Sequence, residues 1–501
     1  MTDHVELRTG VYVDSVSLMQ VSRTAAAAPG VDAAQVAMAT ELNLEVLRGM
    51  GFDVPAASPN DLVVALRAAD ETGVATGRAA VDDALAALRS AGTSAGGFGD
   101  APPPRTLGRA IDAVGANLAL VSVPGRHAAV EAFDAIDRGV SVMLFSDNVD
   151  VDTEVLLKDA AADRGVLVMG PDCGTAVVGG VALGFANVVS PGRVGLVAAS
   201  GTGAQQVMAL LDAAGVGVSH CLGVGGRDLS SRVAGRSTRQ ALAALAADEG
   251  TDTIVVVSKP PAPEVLADLE AYAAGLGTQV HWATLGAGRP DLTTSVENVL
   301  AALGRSVPTW PVWDVPQQPV ARGSLRGLFC GGTLADEAML VAGEELGDGR
   351  GDIRSNIPLR PELAVGDDLR ADGHVVLDFG DDGLTRGRAH PMIDPSLRLE
   401  RIHTEATDAG CGVLLLDLVL GHGAHPDPAE ELAEAVRSAR ASAAASGRDL
   451  PVVVSLTGTD GDPQGLTRCA EALRSAGAAV FLSNAAATRR AVSLLPTTEE
   501  A

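Results

Sequence analysis

Residues 193–215 read RVGLVAASGTGAQQVMALLDAAG, and the fold class follows from how they divide. Val194–Ala199 is an apolar run of strand type, Ser200–Gly203 is a glycine-rich turn, and Ala204–Ala214 carries apolar residues at helical spacing. Glycine lets the backbone approach a ligand closely. The free N–H groups of a first helical turn, with the positive end of the helix dipole, favour an anion. The stretch therefore predicts a strand, a tight turn and a helix, with room for a phosphate at the turn.

The design returns at residues 326–347, RGLFCGGTLADEAMLVAGEELG, where an apolar run meets Gly331-Gly332-Thr333 and a helix starts at Leu334. Gly201-Thr202 and Met208 match Gly332-Thr333 and Met339 at one constant spacing. Two related lobes are expected, their helix N-termini facing one another with a single phosphoryl group held between them. The plain alternative is two ordinary strand-to-helix turns of α/β domains, where glycine is common.

The chain has 501 residues, 47% hydrophobic and 20% charged, enough for three or four ordinary domains. No apolar run approaches the roughly 18 residues of a membrane span, and the start MTDHVELRTG lacks the basic and apolar regions of a signal peptide, so a cytoplasmic protein is expected. A net charge of -26 with only 3% aromatics argues against nucleic acid or an anionic membrane as partner. Lys158 and Lys259 are the only lysines. Cys173, Cys221, Cys330, Cys411 and Cys469 are scattered without zinc spacing and read as reduced structural thiols; no metal site is expected.

Along the chain, residues 1–98 suggest a small α/β domain with βαβ character, and the Gly/Pro-rich SAGGFGDAPPPR (94–105) reads as a linker. Residues 105–190 alternate amphipathic helices with continuous apolar strands, the pattern of a Rossmann-like parallel sheet covered on both faces. Flavodoxin-like doubly wound domains are expected at 191–304 and 322–496, joined by the proline-rich SVPTWPVWDVPQQPVA (306–321). Ligands of such sheets gather at the C-terminal strand edges, which here carry Asp378, Asp381, His390, Asp417, His422, His425 and Asp427.

His390 lies near Asp394 in HPMID, and His422 and His425 near Asp427 in GHGAHPDP, candidates for proton transfer tuned by a neighbouring carboxylate. Their plain reading is loop histidines bonded to backbone. Lys259, at a strand end in Ser258-Lys259-Pro260-Pro261, and Arg227 could meet an anionic substrate; surface placement is the alternative for Lys259. No glycine run has the lysine of a P-loop.

Residues 117–230, through VSVPGRHAAVEAFDAIDRGVSVMLFSDNV, MGPDCGTA, SPGRVGLVAASGTGAQQVM and LGVGGRD, resemble the α subunit of succinyl-CoA synthetase and other NDP-forming acyl-CoA synthetases. The lobe from Gly327 onward resembles the C-terminal domain of that enzyme's β subunit. With VYVDSVSLMQVS, GRAHPMID and GHGAHPDP added, nearly the whole chain resembles the FdrA-type proteins. The resemblance implies several doubly wound domains and a phosphoryl group held at Ser200, Gly201, Thr202 and Gly203 and at Gly331, Gly332 and Thr333. Three parts of the synthetases are not found: the phosphohistidine loop, whose region here reads WATLGAGRPDLTTS after His281, the glycine-rich CoA turn, and the nucleotide-grasp domain.

FdrA-type resemblance further implies a subunit of oxamate carbamoyltransferase, phosphorolysing oxalurate to oxamate and carbamoyl phosphate in allantoin breakdown, with two further protein subunits and an oligomeric assembly. On this expectation Lys259, Arg227, Asp378, Asp381 and Asp427 meet substrate, and His390, His422 or His425 protonates the leaving nitrogen. No cofactor is needed beyond phosphate or carbamoyl phosphate as substrate, although coenzyme A stays open. An acyl-CoA ligase or CoA-binding subunit and a non-catalytic scaffold or metabolite-binding protein are the rival expectations.

Overall fold

The computed structural model describes residues 1–11, 13, 15–55, 57–93, 104–347, 351–385 and 389–496. The chain divides into two units, residues 1–103 with 386–389, and residues 104–385 with 390–501. The linker expected at 94–105 lies almost wholly outside the described residues, as do residues 386–388 ahead of HPMID.

In the first unit, strand Leu62–Ala68 lies between Thr2–Arg8 and Val31–Met38 and runs antiparallel to both. Its alternating side chains feed two cores, Leu62, Val64 and Leu66 into one and Val63 and Ala65 into the other, so both faces of the sheet are covered. The βαβ expectation is corrected here. The strands flanking the centre do run the same way, but they are not neighbours. The strand Thr2–Arg8, too polar to stand out in the sequence, pairs instead with the third strand.

The second unit opens with a three-stranded parallel sheet of Leu118–Val121, Ser141–Leu144 and Val168–Met169. Next comes a parallel array whose spatial order, counted along the chain, is 2-1-3-4: Val218–Gly223, Pro191–Ala199, Thr253–Ser258, Gln279–Thr284. The last sheet has seven strands; His374–Asp378, Ser324–Phe329, Cys411–Val419, Val452–Thr457 and Ala478–Phe481 stand in the order 2-1-3-4-5, and the short Ile353–Arg354 adds in parallel beside His374–Asp378 at one edge. Both are the flavodoxin-like order expected, and in both the glycine turn follows the strand at the switch point, where ligand crevices form.

Two boundaries differ from expectation. The hairpin Thr175–Val178/Val181–Gly184, expected in the first Rossmann-like domain, adds to the edge of the second sheet through Cys221 and Val177. The proline-rich stretch after residue 305 is strapped down, not free. Val312–Trp313 pairs with the edge strand Ala478–Phe481, Trp310 Nε1 donates to Glu297 at 2.8 Å, and the Val320 N–H donates to the Leu494 carbonyl at 2.9 Å.

A buried charge network ties the first sheet to the second. Lys158 Nζ donates to Glu154 and Asp228, each at 2.7 Å, and to the Val224 carbonyl at 3.0 Å; all three charged side chains are fully buried. The two glycine-turn lobes are joined by amides. Gln205 donates to the Leu420 carbonyl at 3.0 Å, Gln206 donates to the Leu482 carbonyl at 3.0 Å, and Asn187 bridges Leu420 and Asp462. These buried amide bonds favour one arrangement of the lobes, although Gln205 Oε1 is buried without a partner among the described residues.

Candidate active site at the paired glycine turns

Each turn opens a long helix, Gly201–Ala213 and Gly332–Leu346. Ser200 caps the first, its Oγ accepting the Gly203 N–H at 2.9 Å, and the same Oγ donates to Thr333 Oγ1 of the second at 2.7 Å. The reciprocal pair also meets. A Cβ on Gly331, the N-cap of the second helix, would lie 2.7–2.8 Å from Oγ1, Cβ and Cγ2 of Thr202. Each helix thus presents its threonine to the other's cap residue, which explains the shared Gly-Thr spacing.

The two N-termini face one another as the sequence suggests, but the gap is closed by these contacts, so a phosphoryl group cannot lie directly between them. The open side is towards Lys259. Its Nζ lies 3.1 Å from where a Cβ on Gly332 would stand, and Asp378 Oδ2 lies 2.7 Å from the same point. Among the described residues, no side chain bonds to the N–H groups of Gly201, Thr202, Gly332 or Thr333, which are four of the orphan donors that helix starts leave. Gly203 and Gly331 are already engaged, the latter with Asp417. The Asp417 carboxylate accepts the N–H groups of Cys330 at 2.8 Å and Gly331 at 3.0 Å, and is held by the buried Arg398 at 2.6 Å.

Lys259 is half-buried and makes no hydrogen bond or ion pair among the described residues, and three carboxyls share its surroundings. Burial pushes Asp378 up to about 7 against the opposing pull of Lys259, and pushes Asp336 up to about 6 with the same opposition. Asp172 is exposed at the surface. Protein atoms crowding its carboxyl, then Asp382, raise it to about 7, while Lys259 and Arg227 oppose. Its backbone sits at φ 56°, uncommon outside glycine. Perturbed carboxyls around a cation without a bonded partner among the described residues make this cleft the candidate site.

Of the other expected residues, Arg227 is largely occupied: it pairs with Glu154 at 3.0 Å and donates to the Val149 carbonyl at 2.7 Å. Asp381 caps its own short helix through the Gly383 N–H, and Asp427 pairs with Arg468 at 3.0 Å on the surface. His390 comes to the cluster, with Nε2 beside Gly380 and its ring 5.6 Å from that of Phe185. Burial, then Arg398, lowers it to about 4, and its Nδ1 accepts the Met392 N–H, so at neutral pH it is a neutral ring with the proton on Nε2. His425 points elsewhere: Nδ1 accepts the Asp427 N–H, Nε2 faces Glu431 at 3.3 Å, and the ring lines a void the size of one water with Cys330 and Arg398. The His422 side chain is exposed; its backbone N–H donates to the Ala186 carbonyl.

Sequence reasoning did not find Asp172 or Asp336. Asp172 carried a signal, since MGPDC ends an apolar strand. Asp336, four residues into a helix, carried none.

The chain is 36% identical over 505 residues to YahF of Escherichia coli (strain K12), covering 95% of both proteins. It belongs to the FdrA-type family. Within it, the family described as "AllF, heavy metal-associated domain" matches residues 1–101 and the family described as "CoA-ligase" matches residues 328–494. Succinate–CoA ligase [ADP-forming] subunit α of Methanothermobacter thermautotrophicus is 29% identical over 161 residues, 32% of this chain; the chain spans about half of that subunit, 52%. Among solved structures, the dinucleotide-forming acetyl-coenzyme A synthetase 1 of Ca. Korarchaeum cryptofilum matches 80% of this chain and 86% of its own at 14% identity and a TM-score of 0.31.

The residues of the first unit do not fit a soft metal. Positions 1–101 hold no cysteine, and their one histidine, His4, lies against Glu6 at 3.3 Å. No group of three or more metal-binding side chains is assembled among the described residues. No helix among the described residues is long and apolar enough to cross a membrane.

Proposed function

We propose that the chain is the phosphate-handling subunit of a carbamoyltransferase, converting oxalurate and phosphate to oxamate and carbamoyl phosphate. The observation that carries this reading is the unpaired Lys259 ammonium beside the open N–H groups of Gly332 and Thr333. A point charge and a helix N-terminus together suit a small phosphate dianion and the oxyanion formed as it attacks the carbamoyl carbon. His390, a neutral Nε2–H donor, would polarise rather than protonate. His422 and His425 are not needed by this site.

The stretch corresponding to the synthetases' phosphohistidine loop supports the same choice. It has no histidine, and its end is pinned to two helices: the Leu292 N–H donates to buried Glu337 of Gly332–Leu346 at 2.6 Å and Asp291 pairs with Arg489 of Asn484–Ser493 at 2.7 Å. A fixed loop does not shuttle a phosphoryl group. An acyl-CoA ligase subunit is the second reading, favoured by the CoA-ligase match over residues 328–494. Paired calorimetric titrations of the purified chain separate the two. Binding of carbamoyl phosphate without coenzyme A, abolished by Gly332→Asp, which adds a carboxylate beside Lys259, is expected; binding of coenzyme A alone would transfer the chain to the ligase reading.

A further inference from the structure

The carboxyls around Lys259 are not equivalent. Asp378 is fixed, since its Oδ1 accepts the Gly380 N–H at 2.8 Å, a bond that favours the ionised form. Asp172 opens to solvent. Glu337, the next residue on the helix, has both oxygens committed, to the Leu292 N–H and to Asn484. Asp336 differs from all three: it is 7% exposed and has no hydrogen bond or ion pair among the described residues. It lies four residues after Gly332 on one helix, hence on the same face, and helical side chains lean back towards the N-terminus. That direction leads to Gly332 and the Lys259 ammonium, whose charge Asp336 feels.

We propose that Asp336 is the proton-transfer residue of this site, resting on the reading of phosphate as substrate. A phosphate oxygen forms the new bond to the carbamoyl carbon, and the bond from that carbon to the oxamate nitrogen breaks with its electron pair left on nitrogen. Asp336 gives its proton to that nitrogen and takes the proton of the attacking hydrogen phosphate. The Lys259 ammonium stabilises the carboxylate in the interval. Nothing is oxidised or reduced, and the proton lost by phosphate is the one gained by oxamate.

The test begins without turnover. Inorganic phosphate is titrated calorimetrically into the full chain near pH 6.5 in two buffers of different ionisation enthalpy, which reports protons exchanged on binding. The parent is expected to exchange a measurable fraction of a proton, and Asp336→Asn to bind phosphate within about threefold of the parent with that exchange reduced, the remainder belonging to phosphate itself, Asp378 and Asp172. Undiminished exchange in Asp336→Asn overturns the assignment. Asp336→Glu, which keeps the carboxyl on a longer stem, is expected to retain exchange; should Asp336→Asn fold poorly, exchange undiminished in Asp336→Ser overturns it equally. In the assembled complex, Asp336→Asn is expected to lower kcat about 10²–10⁴-fold with little change in KM for phosphate. If the parent exchanges protons through Asp336 but leaves oxalurate intact, the substrate reading fails and the proton-transfer role stands; if the parent binds no phosphate, both fail.

Discussion

Replacing Lys158 by Met should destabilise the second unit more than any surface change. The ammonium is fully buried and bonds to two carboxylates and one carbonyl, at 2.7, 2.7 and 3.0 Å. Methionine fills similar volume, so little of the effect comes from a cavity. What remains is two buried carboxylates short of a counter-charge. Glu154 keeps Arg227 at 3.0 Å, and Asp228 keeps the N–H groups of Ser237 and Thr238 and the Thr238 hydroxyl. Breaking a buried pair by removing one partner costs about 3–5 kcal/mol. The residual partners place the expected loss towards the lower end, near 3 kcal/mol, which is a large part of the roughly 5–15 kcal/mol that holds a domain folded. At roughly 2.1 cal/mol/K of unfolding entropy per residue, a unit of about 390 residues shifts by about 1.2 °C per kcal/mol, so the melting temperature should fall by about 3–4 °C. Urea denaturation followed by circular dichroism gives the free energy directly. The double variant Lys158→Met with Asp228→Asn should recover part of the loss, because one uncompensated charge is gone. A single-variant loss below about 1 kcal/mol, or a double variant that is worse than additive, would refute the view that unpaired buried charge dominates this interface.

Gly331→Ala brings a methyl group within 2.7–2.8 Å of Thr202, and should lower stability by about 1–3 kcal/mol and weaken phosphate binding measured by calorimetry. Lys259→Met should leave the melting temperature within about 2 °C of the parent, since the ammonium makes no hydrogen bond or ion pair among the described residues, while phosphate affinity falls at least about tenfold. The pH dependence has a defined sign. Folding raises the Asp336 carboxyl from 3.8 to about 6, so the folded state binds more protons in that window, and the stability this carboxyl contributes is full below pH 3.8 and lost as pH rises through 6. Two units correspond to roughly 3 kcal/mol, so Asp336→Asn should be more stable than the parent at pH 7.5 by up to about that amount and not at pH 4, as read from chemical denaturation at both values.

The alternation of apolar strands and amphipathic helices was enough to read the parallel layers of residues 104–496, because strands buried on both faces leave continuous apolar runs. The paired turns were legible through their spacing, and Lys259 through its rarity beside a strand end. Other features have no local signature. Thr2–Arg8 alternates too weakly to stand out, and the hairpin at 175–184 joins the next sheet through long-range pairing. Asp336 reads as one more polar residue in a helix until tertiary packing removes its solvent. The histidines misled for the opposite reason: His-Asp proximity along the chain is visible in sequence, whereas the backbone N–H groups of Met392 and Asp427 that occupy His390 and His425 are not.

The hydroxyl bond between Ser200 and Thr333 crosses 133 positions of one polypeptide. Both halves of the proposed phosphate cradle therefore come together by folding, in a first-order step whose equilibrium does not change with dilution. A cradle assembled from separate subunits falls apart when they do, but this one persists at any concentration at which the chain stays folded. Phosphate binding at the proposed site should then follow ligand concentration alone, whatever the protein concentration.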